Sequence, residues 1–515
     1  MHLIIIYLQK VIFIFNYNKL DTAESMMIIL KDYNIVDDEN NIIDIIWGEN
    51  KPKYKKDPVI ILPVEYTGKS VLEKFKEVGE TINEEIKKEE KKLLKKKNRT
   101  IEKKRYLISR LDDIAWILNL RGQDIPYNPV FFSYGLLYIH NNNYYFHLFS
   151  DKSKFENEEI KKYLEENKIT LHDYNEIYKE LSISSNDTLT IIDTDSSNCR
   201  MYNIIIKNEN NLNITIQKDI IEHIKSIKNP IEIKGYLKSN IRDCVALIKF
   251  FSWIEQELIT KQRTDLNEYE IGLQSKKFRE EQELFMGESF APICAAGPNA
   301  AIIHYEQNEN LHSNMSLSQL ILCDTGGQYK DGTTDITRTV HFGIAKDKEK
   351  EMYTRVLLGN LSLERLIFKK GSTLRNLDSV PRSFLMQVGK DYQHGTSHGV
   401  GHFLNVHEGP YGEALNEGNV ITNEPGYYEK DSFGIRIENS ILVVNKGKNK
   451  LGFENLTFLP YERKLINLRL LSKDMINYID NYHKKVYDIL SPYVKDDDKA
   501  LDYLMRKTKP LNEKE

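Results

Sequence analysis

Leu320-Ile-Leu-Cys-Asp324-Thr-Gly-Gly-Gln-Tyr-Lys-Asp-Gly-Thr-Thr-Asp335-Ile-Thr-Arg-Thr339 decides how this 515-residue chain is read. The apolar run Leu320 to Cys323 leads to Asp324 and then to Gly326-Gly327, the pattern of a buried strand entering a tight turn. Thr334 to Val340 alternates β-branched and polar residues and reads as a returning strand. Such a pair presents Asp324 and Asp335 at one end of a sheet. Two later segments add to them. His394-Gly-Thr-Ser-His398-Gly-Val-Gly-His402 runs on to Asn405-Val-His407-Glu408-Gly409-Pro410, and Thr422-Asn-Glu424-Pro-Gly-Tyr-Tyr428 is followed by Phe433-Gly-Ile-Arg436-Ile-Glu438-Asn439. Glu424 precedes the turn signal Pro425-Gly426, which fixes its carboxylate at a strand end. Glu438 closes the alternating run Phe433 to Ile437, and Ser440 to Val444 continues it.

Four carboxylates gathered in a dry core repel one another unless divalent cations neutralise them. The donor set is oxygen-rich with one nitrogen and no obvious cysteine, which suits manganese, cobalt or zinc in a two-metal site better than a closed structural zinc site. Two carboxylates can bridge such metals, leaving a water between ions about 3.5–4 Å apart that is deprotonated near neutral pH and becomes the nucleophile. Each motif alone is an ordinary turn or loop. Their order and spacing together carry the reading.

These segments resemble the catalytic domain of the aminopeptidase P group (Xaa-Pro aminopeptidases) in the pita-bread metallopeptidase superfamily, as does Ala291 to Tyr305, which ends Gly297-Pro-Asn-Ala-Ala-Ile-Ile-His304-Tyr305. The resemblance runs from about Asp21 to the C-terminus. It implies an α/β (α+β) chain in which a mixed α/β domain precedes a pita-bread catalytic domain. It implies five metal ligands: Asp335 and Glu438 bridge both ions, Asp324 completes one, and His398 with Glu424 completes the other. It further implies two Mn(II) per chain, with zinc or cobalt as other options, and hydrolysis of the bond between an N-terminal residue and a following proline. Glu424 is the expected proton shuttle. By the same resemblance His407 faces the substrate carbonyl, His394 shapes the proline pocket, His304 steadies the leaving side, and Tyr428 and Arg436 contact substrate or support the ligands. A proline in second position leaves a tertiary amide without an N–H, so the site must read ring shape and the free amino terminus. The alternatives on the same fold are a prolidase restricted to Xaa-Pro dipeptides and a catalytically silent binding module. His402, four residues from His398, lacks the adjacent glutamate of a zincin helix and sits among glycines, so it reads as a packing residue.

Composition fits a soluble globular protein: 40% hydrophobic, 29% charged, formal net charge -4. That balance offers no electrostatic case for nucleic acid or an anionic membrane. Four dispersed cysteines, Cys199, Cys244, Cys294 and Cys323, do not make a disulfide framework and point to a reducing, cytoplasmic setting. Cys323 adjoins Asp324 but faces the other way by strand alternation. The apolar run Leu3 to Phe15 falls short of the roughly 18 residues a membrane span needs and lacks a basic start and a small-residue cleavage site. The expected partners are peptides with proline second and a second copy of the chain.

Along the chain, residues 1–54 read as the remnant of a first domain, with a helix over Thr22 to Tyr33; 55–228 form a second α/β domain, and 229–515 the catalytic domain. Val71 to Lys97 is helical, and its lysine- and glutamate-rich end reads as a solvated face with i,i+4 pairs rather than a nucleic-acid site. Leu111 to Tyr134 reads as a short helix entering an exposed loop, where Arg121 and Asp124 either contact substrate or anchor the loop. Lys228-Asn-Pro230 marks a boundary. Helices are expected over Glu232 to Lys261 and Glu268 to Leu284, and a last strand with two helices over Thr457 to Leu501.

Overall fold

A computed structural model of the chain describes residues 5–7, 10–12, 34–36, 42–51, 55–183, 187–207 and 212–513. It is mixed α/β and divides into two compact units, 1–64 with 69–225 and 65–68 with 226–515. The expected helix over Thr22 to Tyr33 lies outside the described residues. Within the Leu3 to Phe15 run, Ile5–Tyr7 pairs antiparallel with Lys10–Ile12. Among the described residues no helix is long and apolar enough to cross a membrane.

The first unit is built on a six-stranded mixed sheet in the order Leu212–Ile216, Thr188–Asp193, Lys103–Ile108, Ser133–His140, Asn143–Ser150, Ile169–Asp173. The helix Val71–Lys97 starts where Ser70 and Glu73 form a reciprocal capping box, which satisfies amides that the first turn leaves unpaired. Its buried apolar side chains, Val71, Phe75, Val78, Ile82 and Ile86, recur at helical spacing, while the lysine-rich end is largely exposed. Arg121 and Asp124 anchor the loop after the short helix Leu111–Ile117. Arg121 donates to the carbonyls of Ala115 and Leu120, and Asp124 accepts from Lys154 Nζ at 2.6 Å and from the Phe132 amide at 2.8 Å.

In the second unit the long helix Pro230–Glu255 opens with Asn229 as its cap, Pro230 in the first turn and Glu232 closing a capping box. Helical backbone continues to Thr260. The next helix, Glu268–Glu280, stops short of Leu284, whose φ of 63° is incompatible with a right-handed helix. The aspartate strands lie in a three-stranded antiparallel sheet with Ile321–Thr325 in the centre, flanked by Ile293–Ala296 and Ile336–Val340. Between them, Gly327–Tyr329 and Gly332–Thr333 join Phe285–Glu288 in another sheet, so the two aspartate strands are neighbours without being a simple hairpin. Val420–Asn423 is the edge of a four-stranded sheet continuing through Asn439–Gly447 and Lys450–Asn455 to Phe368–Lys369. Gly426–Glu429 pairs with Phe433–Arg436.

The expected strand after Thr457 is absent. The last strand is Lys450–Asn455, and Thr457 to Tyr461 has its main chain bonded by side chains instead of a neighbouring strand. The amides of Phe458, Leu459 and Tyr461 reach Cys244 Sγ, the Tyr482 hydroxyl and His483 Nε2, and the carbonyls of Leu459 and Pro460 accept from Arg338. The two closing helices are Lys473–Val494 and Asp498–Lys507. They pack on the core of this unit with Phe251, Tyr353, Leu357 and Cys323.

Candidate metal centre

Strand register explains why the carboxylates meet. Asp324 lies opposite Thr337 on one side and Ile293 on the other, and Asp335 immediately precedes the strand that carries Thr337. Cys323, one residue earlier, points to the opposite face and joins the hydrophobic core, as alternation requires. Glu438 sits in the break between Phe433–Arg436 and Asn439–Gly447, and its amide donates to the Thr337 carbonyl at 3.1 Å. The guanidinium of Arg338, fully buried, donates to the carbonyl of Glu438 and to Asn439 Oδ1 and fixes that break.

The histidine segment has no helix or strand of its own over 391–398. It runs beside the edge strand Val420–Asn423: the Thr422 amide donates to the His398 carbonyl at 2.9 Å, the Glu424 amide to the Thr396 carbonyl at 2.9 Å, and the Val400 amide to the Val420 carbonyl at 3.1 Å. That ladder sets His398 beside Glu424. His398 Nε2 lies 3.3 Å from Glu424 Oε1 and 3.4 Å from Asp335 Oδ2. Its other nitrogen is 2.9 Å from the Gly399 carbonyl, which orients the ring as in a histidine metal ligand.

Asp324, Asp335, His398, Glu424 and Glu438 line one cavity of about 550 Å³, together with His304, His394, His407 and Arg436. Tyr428 is not a wall of it but hydrogen-bonds two residues that are: His394 Nε2 at 2.8 Å and Arg436 Nη1 at 2.7 Å. Arg436 also donates to Asp324 Oδ2 at 2.6 Å. The rings of His398 and His407 pack edge to face, 4.2 Å apart. His402 lies elsewhere, buried against the ring of Tyr236.

Three sets of ligand atoms each lie within 4.8 Å of one another: Asp324, Asp335 and Glu438; His398, Glu424 and Glu438; and Asp335, His398 and His407. Asp324 Oδ1 and Glu438 Oε1 are buried with no hydrogen-bond partner. A buried carboxylate oxygen without a partner is costly, and a cation relieves that cost. The donor set, four carboxylates and an imidazole, fits divalent cations of the manganese, cobalt or zinc kind.

Electrostatics follow from the crowding. Burial, reinforced by Asp324 and Glu424 and partly offset by His398, pushes the Asp335 carboxyl up to about 6. Burial and then the charges of Asp335, Glu424 and Asp324 hold Glu438 well above the usual carboxylate range. Glu424 is buried as well, but the hydrogen bond and charge of His398 outweigh burial and bring it down to about 2. Burial and then the His398 charge lower His407 to about 4, and burial lowers His394.

The motif residues read as candidate ligands in the sequence; Thr337, Arg338 and Thr422 do not. These three hold two of the candidate carboxylates through the Thr337 hydroxyl on Glu438 Oε2, the Arg338 guanidinium on the Glu438 carbonyl and the Thr422 hydroxyl on Glu424 Oε1. Thr337 and Arg338 stand inside the opening motif, yet only the strand register reveals what they touch.

Comparison with known proteins agrees with this geometry. Residues 234–445 match the model of metallopeptidase family M24, 50–232 that of the creatinase/prolidase N-terminal domain, and 449–511 that of the C-terminal region of the same peptidases. A probable Xaa-Pro aminopeptidase P of Phaeosphaeria nodorum is 39% identical over 93% of this chain and 73% of its own length. A probable Xaa-Pro aminopeptidase P of Leptosphaeria maculans is 40% identical over 93% of the chain and 78% of its own. The crystal structure of X-prolyl aminopeptidase from Caenorhabditis elegans, described as a cytosolic enzyme with a di-nuclear active site, superposes with a TM-score of 0.85 at 31% identity, covering 97% of this chain and 80% of that one. With a mixed α/β pita-bread domain behind a creatinase-type N-terminal domain, the chain belongs to metallopeptidase family M24, alongside the Xaa-Pro aminopeptidases P.

Proposed function

We propose that this chain is a metallo-aminopeptidase that releases the N-terminal residue from peptides with proline in second position. The observation that carries the reading is the single cavity in which five metal-ligand side chains stand with His304, His394, His407 and Arg436. Asp324, Asp335, His398, Glu424 and Glu438 would hold two divalent ions, manganese by preference. Bound there, such ions neutralise the carboxylates, polarise the amide carbonyl and acidify a water.

The remaining steps fall to the chain's own groups. Glu424 is ionised at neutral pH, and its Oε1 is fixed by the Thr422 hydroxyl at 3.1 Å, so it accepts a proton from the attacking water and delivers it to the departing proline nitrogen. His407, lowered in pKa to about 4, is neutral at pH 7, and a neutral imidazole N–H donates to the substrate carbonyl without competing as a cation. His394 takes its orientation from Tyr428 and shapes the wall for the proline ring. His304 contacts the leaving side. Tyr428 and Arg436 support these groups. The catalytic segment is 229–515, and 55–228 forms a separate accessory domain. Four free buried cysteines accord with a cytoplasmic setting, and the same reading takes the active form to be a homodimer.

The deciding experiment is hydrolysis of an Arg-Pro-Pro tripeptide and an Ala-Pro dipeptide, with manganese and with chelator. Metal-dependent release of arginine from the tripeptide, lost by about 10²-fold or more in Glu424→Gln, is the expected result. Cleavage of the dipeptide alone would make the chain a prolidase, and inertness of metal-loaded, folded protein would make it a binding module.

A further inference from the structure

The residues that aim His394 lie outside the histidine segment. We infer that Asp378 and Arg382, on and before the helix Ser379–Met386, are the positioning pair that sets the His394 ring in the candidate metal centre. The inference deepens the peptidase reading and rests on it for the role of His394.

The segment Asp391 to Thr396 belongs to no helix or strand, so side chains must fix its path. Arg382 does most of this. Its five N–H groups all have acceptors: Nε to Asp378 Oδ2 at 2.7 Å, Nη1 to Asp391 Oδ1 and the Tyr392 carbonyl, each at 2.8 Å, and Nη2 to Asp378 Oδ1 at 3.2 Å and the His394 carbonyl at 2.6 Å. Its guanidinium also lies 4.0 Å from the centre of the Tyr392 ring. Asp378 completes the clamp by accepting from the amide and the hydroxyl of Thr396, and that hydroxyl is 2.6 Å from the Tyr392 hydroxyl. The Thr396 carbonyl in turn accepts from the Glu424 amide at 2.9 Å. The main chain is thus pinned on both sides of His394. The ring meets the Tyr428 hydroxyl at 2.8 Å through Nε2, and its Nδ1 lies 2.9 Å from the carbonyl of Gly395, inside the pinned segment, and 3.8 Å from Glu424 Oε2.

A planar fork with five donors is what this arrangement uses; a lysine, with three donors on a point charge, can hold only part of it. Arg382 and Asp378 touch no reacting atom. Their effect on hydrolysis passes through the placement of His394, where an error of about 1 Å can cost up to about 10²-fold in rate.

The test compares Arg382→Lys with the unaltered protein, each with and without His394→Ala, all loaded with manganese. The expected result is a fall of about 10-fold or more in kcat/KM for the Arg-Pro-Pro tripeptide on Arg382→Lys, shrinking to less than about 3-fold in the His394→Ala background, because changes that act through one group are not additive. An equal loss in both backgrounds, or none in the first, overturns the inference. A second measurement is independent of turnover and uses zinc-loaded, diamagnetic protein: the His394 ring signal in a histidine-labelled NMR spectrum, assigned by its loss in His394→Ala, is expected to shift or broaden in Arg382→Lys. An unmoved signal overturns the positioning role even if no peptide is cleaved, whereas a moved signal with an inert parent protein overturns only the peptidase reading.

Discussion

The Thr337 hydroxyl donates to Glu438 Oε2 at 2.7 Å, while Glu438 Oε1 is buried with no hydrogen-bond partner. One oxygen of the carboxylate is thus tied down and the other is left to a cation. The same residue pair is also joined through the main chain, so removing the hydroxyl loosens the carboxylate without detaching the backbone. Thr337→Val keeps the shape of the side chain. It is expected to weaken manganese binding by about 10–100-fold, the usual effect of losing a hydrogen bond to a ligand, with activity recovered at high metal. Titration of metal into the metal-free variant checks this, and an unchanged affinity would show that Thr337 plays no part in ordering Glu438.

The glycines of the histidine segment differ in their need to be glycine. A Cβ on Gly399 would stand 1.7 Å from the Gly409 carbonyl oxygen, in a place where Gly399 and Glu408 exchange two backbone hydrogen bonds. Backbone cannot yield as a side-chain tip can, so Gly399→Ala is expected to cost about 1–3 kcal/mol or more and to displace His398 next to it. At Gly395 the nearest neighbour of a Cβ is the Ser397 carbonyl at 3.9 Å, and alanine there is expected to leave stability within about 0.5 kcal/mol of the parent. Urea unfolding midpoints of the two variants decide the matter; equal midpoints would contradict the argument.

These contrasts show what a sequence can carry. The candidate ligands form a local pattern, Asp, His and Glu beside Gly and Pro at strand ends, and Asp324, Asp335, His398, Glu424 and Glu438 do converge on one cavity. The long helices were readable from their periodicity, while the caps at Ser70 and Asn229 that start them emerge only from the structure. Arg382 was not readable as part of the site: its i,i+4 pairing with Asp378 looks like any helix ion pair, and its partners at 391, 392 and 394 lie past the end of the helix and are brought to it by the fold. The supposed strand after Thr457 failed for a related reason. The stretch satisfies its backbone through Arg338, Tyr482 and His483, which lie far away in sequence.

Proton linkage at the metal centre has a definite sign. In the metal-free protein, burial pushes the Asp335 carboxyl up to about 6, and burial with the neighbouring carboxylates raises Glu438. A carboxyl raised above its unfolded value of about 4 favours the fold fully below that value and loses its contribution as pH rises through about 6. Metal ions take the ionised form and displace these protons, so affinity falls as pH drops through about 6. The thermal stabilisation given by manganese is therefore expected to be larger at pH 7.5 than at pH 5.5. A shift of equal size at both values would mean that Asp335 is already ionised throughout.

His483 gives the opposite case, away from the metal centre. It is fully buried beside Tyr461 and Tyr482, and its Nε2 accepts from the Tyr461 amide at 3.2 Å while Nδ1 has no hydrogen-bond partner. Burial, and then the charges of Arg463 and Arg338, lower its pKa to about 3. The folded state therefore holds the neutral ring. The unfolded chain takes up a proton below about 6.5, and the contribution is complete above that pH and lost as pH falls towards about 3. Over that window the single proton costs about 1.4 kcal/mol of stability per pH unit. His483→Gln removes this dependence while keeping an acceptor for the Tyr461 amide. The stability difference between parent and variant is expected to narrow by about that amount per unit as pH is lowered from 6.5 to 5, read from urea unfolding at several pH values. Parallel pH profiles for the two proteins would place the titration of His483 outside this range and refute the assignment.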